Sequence, residues 1–281
     1  MDRVALACLR CPHCTEALAE AGRALRCVSG HSFDIARHGY VNLLGGRAAP
    51  RGTDTAEMIE ARHSFLAAGH YAPLANEVTS LVERGTVDAP EGCVVEVGAG
   101  TAYYLTHVME RVHGRAGLAL DISVPAARRS ARAHARIGAV VCDVWRELPV
   151  RSAAAAAVID VFAPRNVAEF SRILVPRGLL VVATPGPAHL TEIVGPLGLL
   201  HVAEGKTERL EQQLEGRFAL AEHRDVEYTV ELEPREVETL VTMGPSAWHT
   251  DRVATSERIA ATGGAVTVTV SARVAAYRST T

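Results

Sequence analysis

The stretch Val94-Val95-Glu96-Val97-Gly98-Ala99-Gly100-Thr101-Ala102 decides the fold of this chain. Its apolar first half predicts a buried strand, and the glycine-rich turn that follows is typical of the start of a helix. Glycines at such a turn let the backbone approach a ligand closely, because no side chain stands in the way. The stretch therefore predicts a strand–turn–helix unit that holds a cofactor.

The chain on both sides of this turn alternates strands and helices. Two later segments, 226–232 and 265–274, alternate apolar and polar residues and predict antiparallel strands at one side of a sheet. This order indicates the α/β class, a parallel Rossmann-like sheet wrapped by helices. The other predicted strands are 93–97, 117–121, 139–142, 155–160 and 179–184, and the predicted helices are 54–69, 73–84, 102–112 and 125–136.

The spacing of the turn indicates which cofactor it holds. A dinucleotide-binding turn would have a third glycine at position 103, where this chain has Tyr103. The acidic-x-Gly-x-Gly form, with Gly98 and Gly100, fits S-adenosylmethionine, which carries no pyrophosphate. Asp121 ends the next strand and is the predicted acceptor for the ribose hydroxyls, and Asp143 is a candidate for the adenine. The alternative is a glycine turn in an unrelated α/β fold.

Cys11, Cys14, Cys27 and His31 form a C-x2-C-x12-C-x3-H array. Two close pairs of this kind close a tetrahedron around one zinc ion, and four protein ligands make the site structural. The alternative is a set of scattered free thiols. Three neighbours fit less well as ligands: Cys8 lacks the tight-turn spacing, His13 lies inside the first turn and His38 lies too far along.

The bulk of the sequence limits the class of protein. The 281 residues are 48% hydrophobic, which suits one large domain with a small one. The net charge of −3 does not by itself indicate a nucleic-acid-binding protein. We expect a cytoplasmic protein, because the N-terminus lacks a secretory signal and no apolar run has membrane-spanning length. The predicted units are 1–45, a zinc-binding module, 46–90, a linker with helices, and 91–281, the cofactor domain.

Arginines are concentrated in two parts of the chain. Residues 21–53 contain five arginines and one acid, Asp34, and residues 122–142 contain four arginines and no acid. Such patches attract phosphate groups, although solvated faces of an arginine-rich protein are the alternative. The arginines are Arg23, Arg26, Arg37, Arg47 and Arg51 in the first part, and Arg128, Arg129, Arg132 and Arg136 in the second.

Short stretches through most of the chain resemble the bacterial 23S rRNA (guanine-N1)-methyltransferases of the RlmA type, and especially their tylosin-resistance branch. A generic methyltransferase does not need the three stretches of the cysteine–histidine segment (residues 11–14, 27–34 and 39–44), nor the Gly-His-Tyr and Thr-Pro-Gly-Pro-x-His-Leu runs. Besides the glycine turn, the stretches are Cys11-Pro12-x-Cys14, Cys27-x3-His31-x-Phe33-Asp34, Gly39-Tyr40-Val41-Asn42-Leu43-Leu44, Ala56-Glu57-Met58, Ala61-Arg62, Phe65-Leu66-x-Ala68-Gly69-His70-Tyr71, Phe162-Ala163-Pro164, Ala183-Thr184-Pro185-Gly186-Pro187-x-His189-Leu190 and Ala247-Trp248.

The resemblance implies a class I S-adenosylmethionine-dependent methyltransferase with a small N-terminal zinc-binding module that recognises RNA. It implies methylation of N1 of a guanine in hairpin 35 of 23S rRNA, resistance to tylosin-type macrolides, and a homodimer. Carried over to this chain, cofactor contacts fall on Tyr71, Gly100, Thr101 and His189, and the zinc ligands are the four of the array. Ala102 departs from relatives that have a third glycine there.

Methyl transfer to guanine N1 requires loss of the N1 proton, so a base or a hydrogen bond to the developing O6 anion would help. Asp160 and His189 are the candidates, and Phe162 is a candidate for stacking on a flipped guanine. The alternatives are that Asp160 caps a turn, that His189 serves the cofactor alone and that Phe162 lies in the core. Trp248 fits either a target pocket or a core or interface position.

Two other functions share some of these features. A small-molecule methyltransferase would have the same cofactor turn, but its activity would not depend on Arg23, Arg26 and Arg37. A non-enzymatic RNA-binding protein would have a broken turn, yet Gly98 and Gly100 are both present. The residues therefore favour rRNA methylation.

Overall fold

The computed structural model describes residues 2–46, 52–199, 206–244, 248, 252–261 and 263–280. The strands are β1 (Ala19–Ala21), β2 (Ala24–Arg26), β3 (Ser32–Asp34), β4 (Val41–Asn42), β5 (Cys93–Val97), β6 (Gly117–Asp121), β7 (Ile137–Val141), β8 (Ala155–Val161), β9 (Leu174–Pro185), β10 (Phe218–Leu232) and β11 (Val266–Ser279). The helices are α1 (Arg3–Ala7), α2 (Ala56–Ala67), α3 (Ala72–Thr86), α4 (Tyr103–Arg111), α5 (Val124–Ser130), α6 (Val167–Ile173), α7 (Thr191–Leu197), α8 (Lys206–Leu214), α9 (Pro234–Met243) and α10 (Arg252–Ala260).

The large sheet has eight strands in the order β10-β11-β9-β8-β5-β6-β7-β4. Strands β9, β8, β5, β6 and β7 run parallel, and β11 lies antiparallel between β9 and β10. The order reverses at β5, so the turn after β5 lies at the switch point where α/β sheets bind ligands. The predicted α/β class and the predicted antiparallel pair at one side are confirmed.

Each face of this sheet carries its own core. On one face, Val94, Ala119 and Ile159 pack with residues of α3 and α4. On the other face, Val95 and Leu118 pack with α6 and with apolar residues of the N-terminal segment. The alternation along each strand sends neighbouring residues to opposite faces, which is why the runs read as continuously apolar.

The N-terminal segment is joined to the large sheet. β4 pairs in parallel with β7 through Val41 and Val140, and Leu9 forms an antiparallel bridge with Val150. The small sheet β1-β2-β3 lies within the same segment. The divisions at residues 45 and 90 remain predictions, and most of the predicted linker at 45–53 lies outside the described residues.

Two predicted helices have different ends in the structure. α2 is capped by Thr55, whose hydroxyl accepts from Met58 N at 3.2 Å, because Asp54 instead pairs with Arg62. The helix predicted over 125–136 ends at Ser130. The chain then turns, and the Arg136 guanidinium donates to the carbonyls of Val112 and Arg115 in the segment between α4 and β6. No helix in the described parts of the chain is long and apolar enough to span a membrane.

Ala102 is the residue at the N-cap of α4, with a left-handed φ of 57° and a fully buried side chain. This conformation costs a non-glycine residue about 1 kcal/mol, whereas a buried methyl contributes about 0.8 kcal/mol. We expect Ala102→Gly to change the free energy of unfolding little, because the two effects offset each other. Urea denaturation of the two proteins measures this.

Ala99→Gly is the matched control, since Ala99 is also buried but does not have a positive φ. It should lose about 1 kcal/mol more than Ala102→Gly, because no strain is relieved. Equal losses for the two variants would contradict the strain assigned to Ala102.

Candidate zinc and cofactor sites

The four residues of the cysteine–histidine array meet at one point. Their ligand atoms all lie within 4.8 Å of one another. Cys14 Sγ is 3.6 Å from Cys27 Sγ, and His31 Nδ1 is 3.3 Å from Cys27 Sγ and 3.5 Å from Cys11 Sγ. Tetrahedral ligands at ordinary zinc distances lie about 3.5 to 3.8 Å apart, so the donor set fits a zinc ion.

Tight turns bring each pair of ligands together. Thr15 N donates to Cys11 O at 2.9 Å in the first turn, and Gly30 N donates to Cys27 O at 3.0 Å in the second. A hydrogen bond from the Glu16 backbone lowers the pKa of Cys14 to about 6, which favours the thiolate that zinc requires.

His13 and Cys8 have other roles in this segment. The His13 ring packs between the rings of His31 and Phe33, with centroids 4.9 and 5.8 Å away. The Cys8 thiol donates to Val4 O at 3.3 Å. Within the described residues, neither belongs to the cluster of ligand atoms. This arrangement agrees with the ligand set predicted from the spacing.

The glycine turn after β5 is tightly surrounded. Gly98 has φ 63° and Gly100 has φ 54°, conformations that side chains disfavour. A Cβ at Gly98 would lie 2.7 Å from the Ala163 Cβ, and one at Gly100 would lie 3.0 Å from Arg62 Nη1. Thr101 follows them and is buried. The turn thus has backbone that no side chain of its own covers, as a cofactor needs, and its positive φ values favour glycine at both positions.

Asp121 lies where the sequence predicts, at the carboxyl end of β6 beside the turn. Its two carboxylate oxygens accept from Gly100 N and Ser123 N, both at 2.8 Å. Burial raises the pKa of Asp121 above its ordinary value. Each oxygen keeps a further lone pair, so the carboxylate fits as an acceptor for a ribose hydroxyl.

Arg62 is a residue of this site that sequence reasoning did not single out. Its guanidinium lies against Gly100, pairs with Asp54 at 2.5 Å and donates to Met243 O at 2.6 Å. In the sequence, only the Ala61-Arg62 stretch of the family resemblance pointed to this arginine. An arginine over the turn fits a carboxylate such as that of the methionine end of S-adenosylmethionine.

Tyr71, His189 and Phe162 meet at the same edge of the sheet. The Tyr71 hydroxyl lies 3.4 Å from His189 Nε2, and the Phe162 and His189 rings are 5.5 Å apart. His189 Nδ1 accepts from Ser271 N at 3.3 Å, so the neutral ring carries its proton on Nε2. Phe162 has φ 53° and is 38% exposed, which does not fit a core position.

Asp160 is fully buried, one residue before the end of β8. Burial raises its pKa to about 7, although Arg165, whose Nε lies 3.2 Å from Oδ1, opposes this shift. Ile159 and Val161 pack on the α3–α4 face, together with Tyr71. Asp160 alternates with them and therefore points to the other face. This places the Asp160 side chain on the face opposite Tyr71, and the catalytic roles of Asp160 and His189 remain predictions.

Two further predicted residues make contacts of other kinds, and their roles in the site remain predictions. Asp143 accepts from Trp145 N at 3.0 Å and pairs with Arg146 at 3.1 Å. Trp248 lines a cleft of about 580 Å³ between α2, α9 and α10. Its side chain is 48% exposed, so it does not lie in the core. Its matching neighbour Ala247 lies outside the described residues.

The zinc site predicts a metal content of about one zinc ion per chain. Cys14→Ser should reduce it to about zero after dialysis against a mild chelator, because three ligands do not close the tetrahedron. Elemental analysis by mass spectrometry measures the zinc content. Cys8→Ser is the control and should keep its zinc, and loss of zinc from both variants would contradict the assignment.

Glu96 predicts a pH dependence of stability. Burial raises the pKa of this side chain from 4.5 to about 8. The folded state therefore binds more protons than the unfolded state between these values, so the free energy of unfolding falls as pH rises through them, by up to about 1.4 kcal/mol per pH unit.

Glu96→Gln should flatten this fall, because the amide does not titrate and its oxygen can still accept from Leu105 N. Urea denaturation between pH 5 and pH 8 measures the slope. Glu91→Gln, at an exposed position before the same strand, should leave the slope unchanged. An unchanged slope in Glu96→Gln would overturn the prediction.

Comparison with known proteins adds to this geometry. The sequence profile of the zinc-ribbon family described as "RlmA, N-terminal" matches residues 9–47. The YcgJ protein from Bacillus subtilis has a similar fold, with a TM-score of 0.50 and 11% identity over 72% of this chain and 98% of that one. The residues matched by the zinc-ribbon family include the four clustered ligands, so the chain has a structural zinc site. The large sheet and its helices form a class I S-adenosylmethionine-dependent methyltransferase fold.

Two relatives match almost the whole chain. The 23S rRNA (guanine(748)-N(1))-methyltransferase of Streptomyces fradiae is 45% identical over 263 residues, which are 94% of each chain. A protein of Micromonospora griseorubida, provisionally named as a 23S rRNA (guanine-N1)-methyltransferase, is 49% identical over 96% of this chain and 97% of its own. On this likeness, the chain belongs to the family of 23S rRNA (guanine-N1)-methyltransferases.

Proposed function

We propose that this chain transfers a methyl group from S-adenosylmethionine to N1 of a guanine in hairpin 35 of 23S rRNA, and that this protects ribosomes from tylosin-type macrolides. The observation that carries the proposal is the 45% identity, over 94% of both chains, to the Streptomyces fradiae enzyme named for methylation of guanine(748). A cytoplasmic homodimer, with residues 1–45 as the RNA-recognition module, completes the proposal and rests on the family resemblance.

The cofactor has a consistent set of contacts in this proposal. Gly98 and Gly100 admit its amino-acid end, Asp121 accepts from its ribose, and Arg62 pairs with its carboxylate. Bound S-adenosylmethionine supplies an electrophilic methyl group on a sulfonium. The protein then contributes mainly by holding the guanine in line with that methyl group.

Phe162 is the proposed stacking residue for the target guanine. Its ring is partly exposed beside His189, and the next residue, Ala163, lies against the cofactor turn at Gly98. Its left-handed backbone is a strained conformation for a bulky residue, and strain of this kind clusters at functional sites. The position suits an aromatic side chain that receives a base taken out of its stack.

His189 is proposed to act as a hydrogen-bond donor rather than as the base that removes the N1 proton. Its Nδ1 accepts from the Ser271 N–H, so Nε2 carries the ring's proton; this N–H faces the Tyr71 hydroxyl and would turn to guanine O6 once the base is bound. A donor at this place stabilises the negative charge that develops on guanine O6 as N1 loses its proton. Asp160 remains the candidate base, since a pKa of about 7 suits that role, but it points to the other face of the sheet.

The test is incubation of the purified protein with labelled S-adenosylmethionine and unmodified 23S rRNA, followed by mass-spectrometric mapping. We expect N1-methylguanine in hairpin 35. Phe162→Leu should lower kcat/KM for RNA by about tenfold, because base stacking contributes about 1 to 3 kcal/mol, and should leave cofactor affinity within about twofold of wild type.

The control is Leu220→Ala, an exposed apolar position on β10, which should not change either quantity. Cofactor binding measured by calorimetry, together with no transfer to rRNA, would overturn the proposal. That result would favour the alternative of a small-molecule methyltransferase.

A further inference from the structure

The two arginine-rich parts of the sequence meet at one surface. Arg37 and His38 lie in the turn before β4, and Arg128 and Arg132 lie on and just after α5. The turn packs on the end of α5, where a Cβ at Gly39 would lie 3.7 Å from the Ala131 Cβ. We call Arg37, His38, Arg128 and Arg132 the junction patch, because it joins the zinc-binding segment to the large sheet.

The junction patch concentrates positive charge around one imidazole. Arg37 Nε lies 3.1 Å from His38 Nε2, and Arg132 Nη2 contacts His38 Nδ1. Desolvation, followed by the charges of Arg128, Arg132 and Arg37, lowers the pKa of His38. Within the described part of the chain, the charged groups that act on His38 are therefore cationic and come from its own turn, from α5 and from the residues just after α5.

Carboxylates among the described residues do not pair with the arginines of this patch. In the described ranges, Arg37, Arg128 and Arg132 form no ion pair with a carboxylate, and all three are exposed. The other arginines of the second run are used differently. Arg129 lies 3.7 Å from Glu60, and Arg136 donates to the carbonyls of Val112 and Arg115. The patch thus contains three exposed arginines whose charge is not neutralised by a carboxylate among the described residues.

The patch is also tied to the cofactor turn. Ser130, the last residue of α5, donates its hydroxyl proton to Gly100 O at 2.9 Å. An anion held by Arg128 and Arg132 is therefore held close to an element that is hydrogen-bonded to the cofactor turn. Repelling cations on a rigid element are stabilised when an anion of matching geometry binds between them.

We infer that the junction patch binds the phosphate backbone of the substrate RNA and fixes the position of the hairpin relative to the cofactor turn. This inference rests on the proposed function and adds the surface that holds the RNA. Backbone contacts of this kind set register and affinity but do not read sequence. The patch carries arginine and histidine rather than apolar side chains, which favours RNA phosphates over an apolar protein partner.

The test compares wild-type protein with Arg128→Gln/Arg132→Gln, using an unmodified transcript of hairpin 35 as the probe. Binding is measured by fluorescence anisotropy at several salt concentrations. Each arginine removed should reduce the slope of log affinity against log salt by about 0.7 to 0.9. The KM for RNA should rise roughly tenfold, whereas kcat at saturating RNA and S-adenosylmethionine affinity should stay within about twofold.

Arg177→Gln is the matched control, an exposed arginine near the start of β9, at the opposite edge of the sheet from the turn. Its salt slope should equal that of wild type. Circular dichroism and zinc content establish that the variants are folded. If wild type methylates the RNA and the double variant keeps the wild-type slope and KM, the junction patch is wrong although the proposed function stands. If wild type transfers no methyl group to RNA, both are wrong.

Discussion

The rest of the structure depends on the backbone turn that follows β5. Gly98 and Gly100 have positive φ; a Cβ at Gly98 would clash with Ala163, and one at Gly100 would press on the Arg62 guanidinium. The Gly100 N–H donates to the Asp121 carboxylate and holds it in place, and the Gly100 carbonyl accepts from Ser130 at the end of α5. The cofactor contacts and the arginines of the junction patch are therefore positioned by one peptide segment.

The zinc-binding segment is the second constraint, and it acts together with the large sheet. A segment with so few apolar residues does not form a stable core of its own. In this chain its apolar residues Leu25, Phe33 and Val41 belong to the same core as Val95 and Leu118 of the sheet. The metal thus fixes local turns, while burial against the sheet fixes where those turns lie.

Much of this could be predicted from the sequence, because periodicity and spacing are local properties. The strand at 117–121 has the predicted bounds, and the spacing of the array predicted a set of ligands whose donor atoms the structure brings together. The rest depends on tertiary placement. Arg62 belongs to α2, yet its guanidinium lies against Gly100. Strand alternation sends the Asp160 side chain to the face opposite Tyr71. Only the folded chain shows that Arg129 lies near Glu60 and that Arg136 donates to backbone carbonyls, whereas Arg128 and Arg132 are exposed beside His38.

The pairing of β4 with β7 has one more consequence. β7 would otherwise be an edge strand of the large sheet, with a row of backbone groups open to any other extended chain. Val41 and Asn42 cover part of that row, and they are held there by a segment whose turns depend on the metal. The same segment that the zinc site holds in shape thereby covers part of a sheet edge to which another extended chain could otherwise pair.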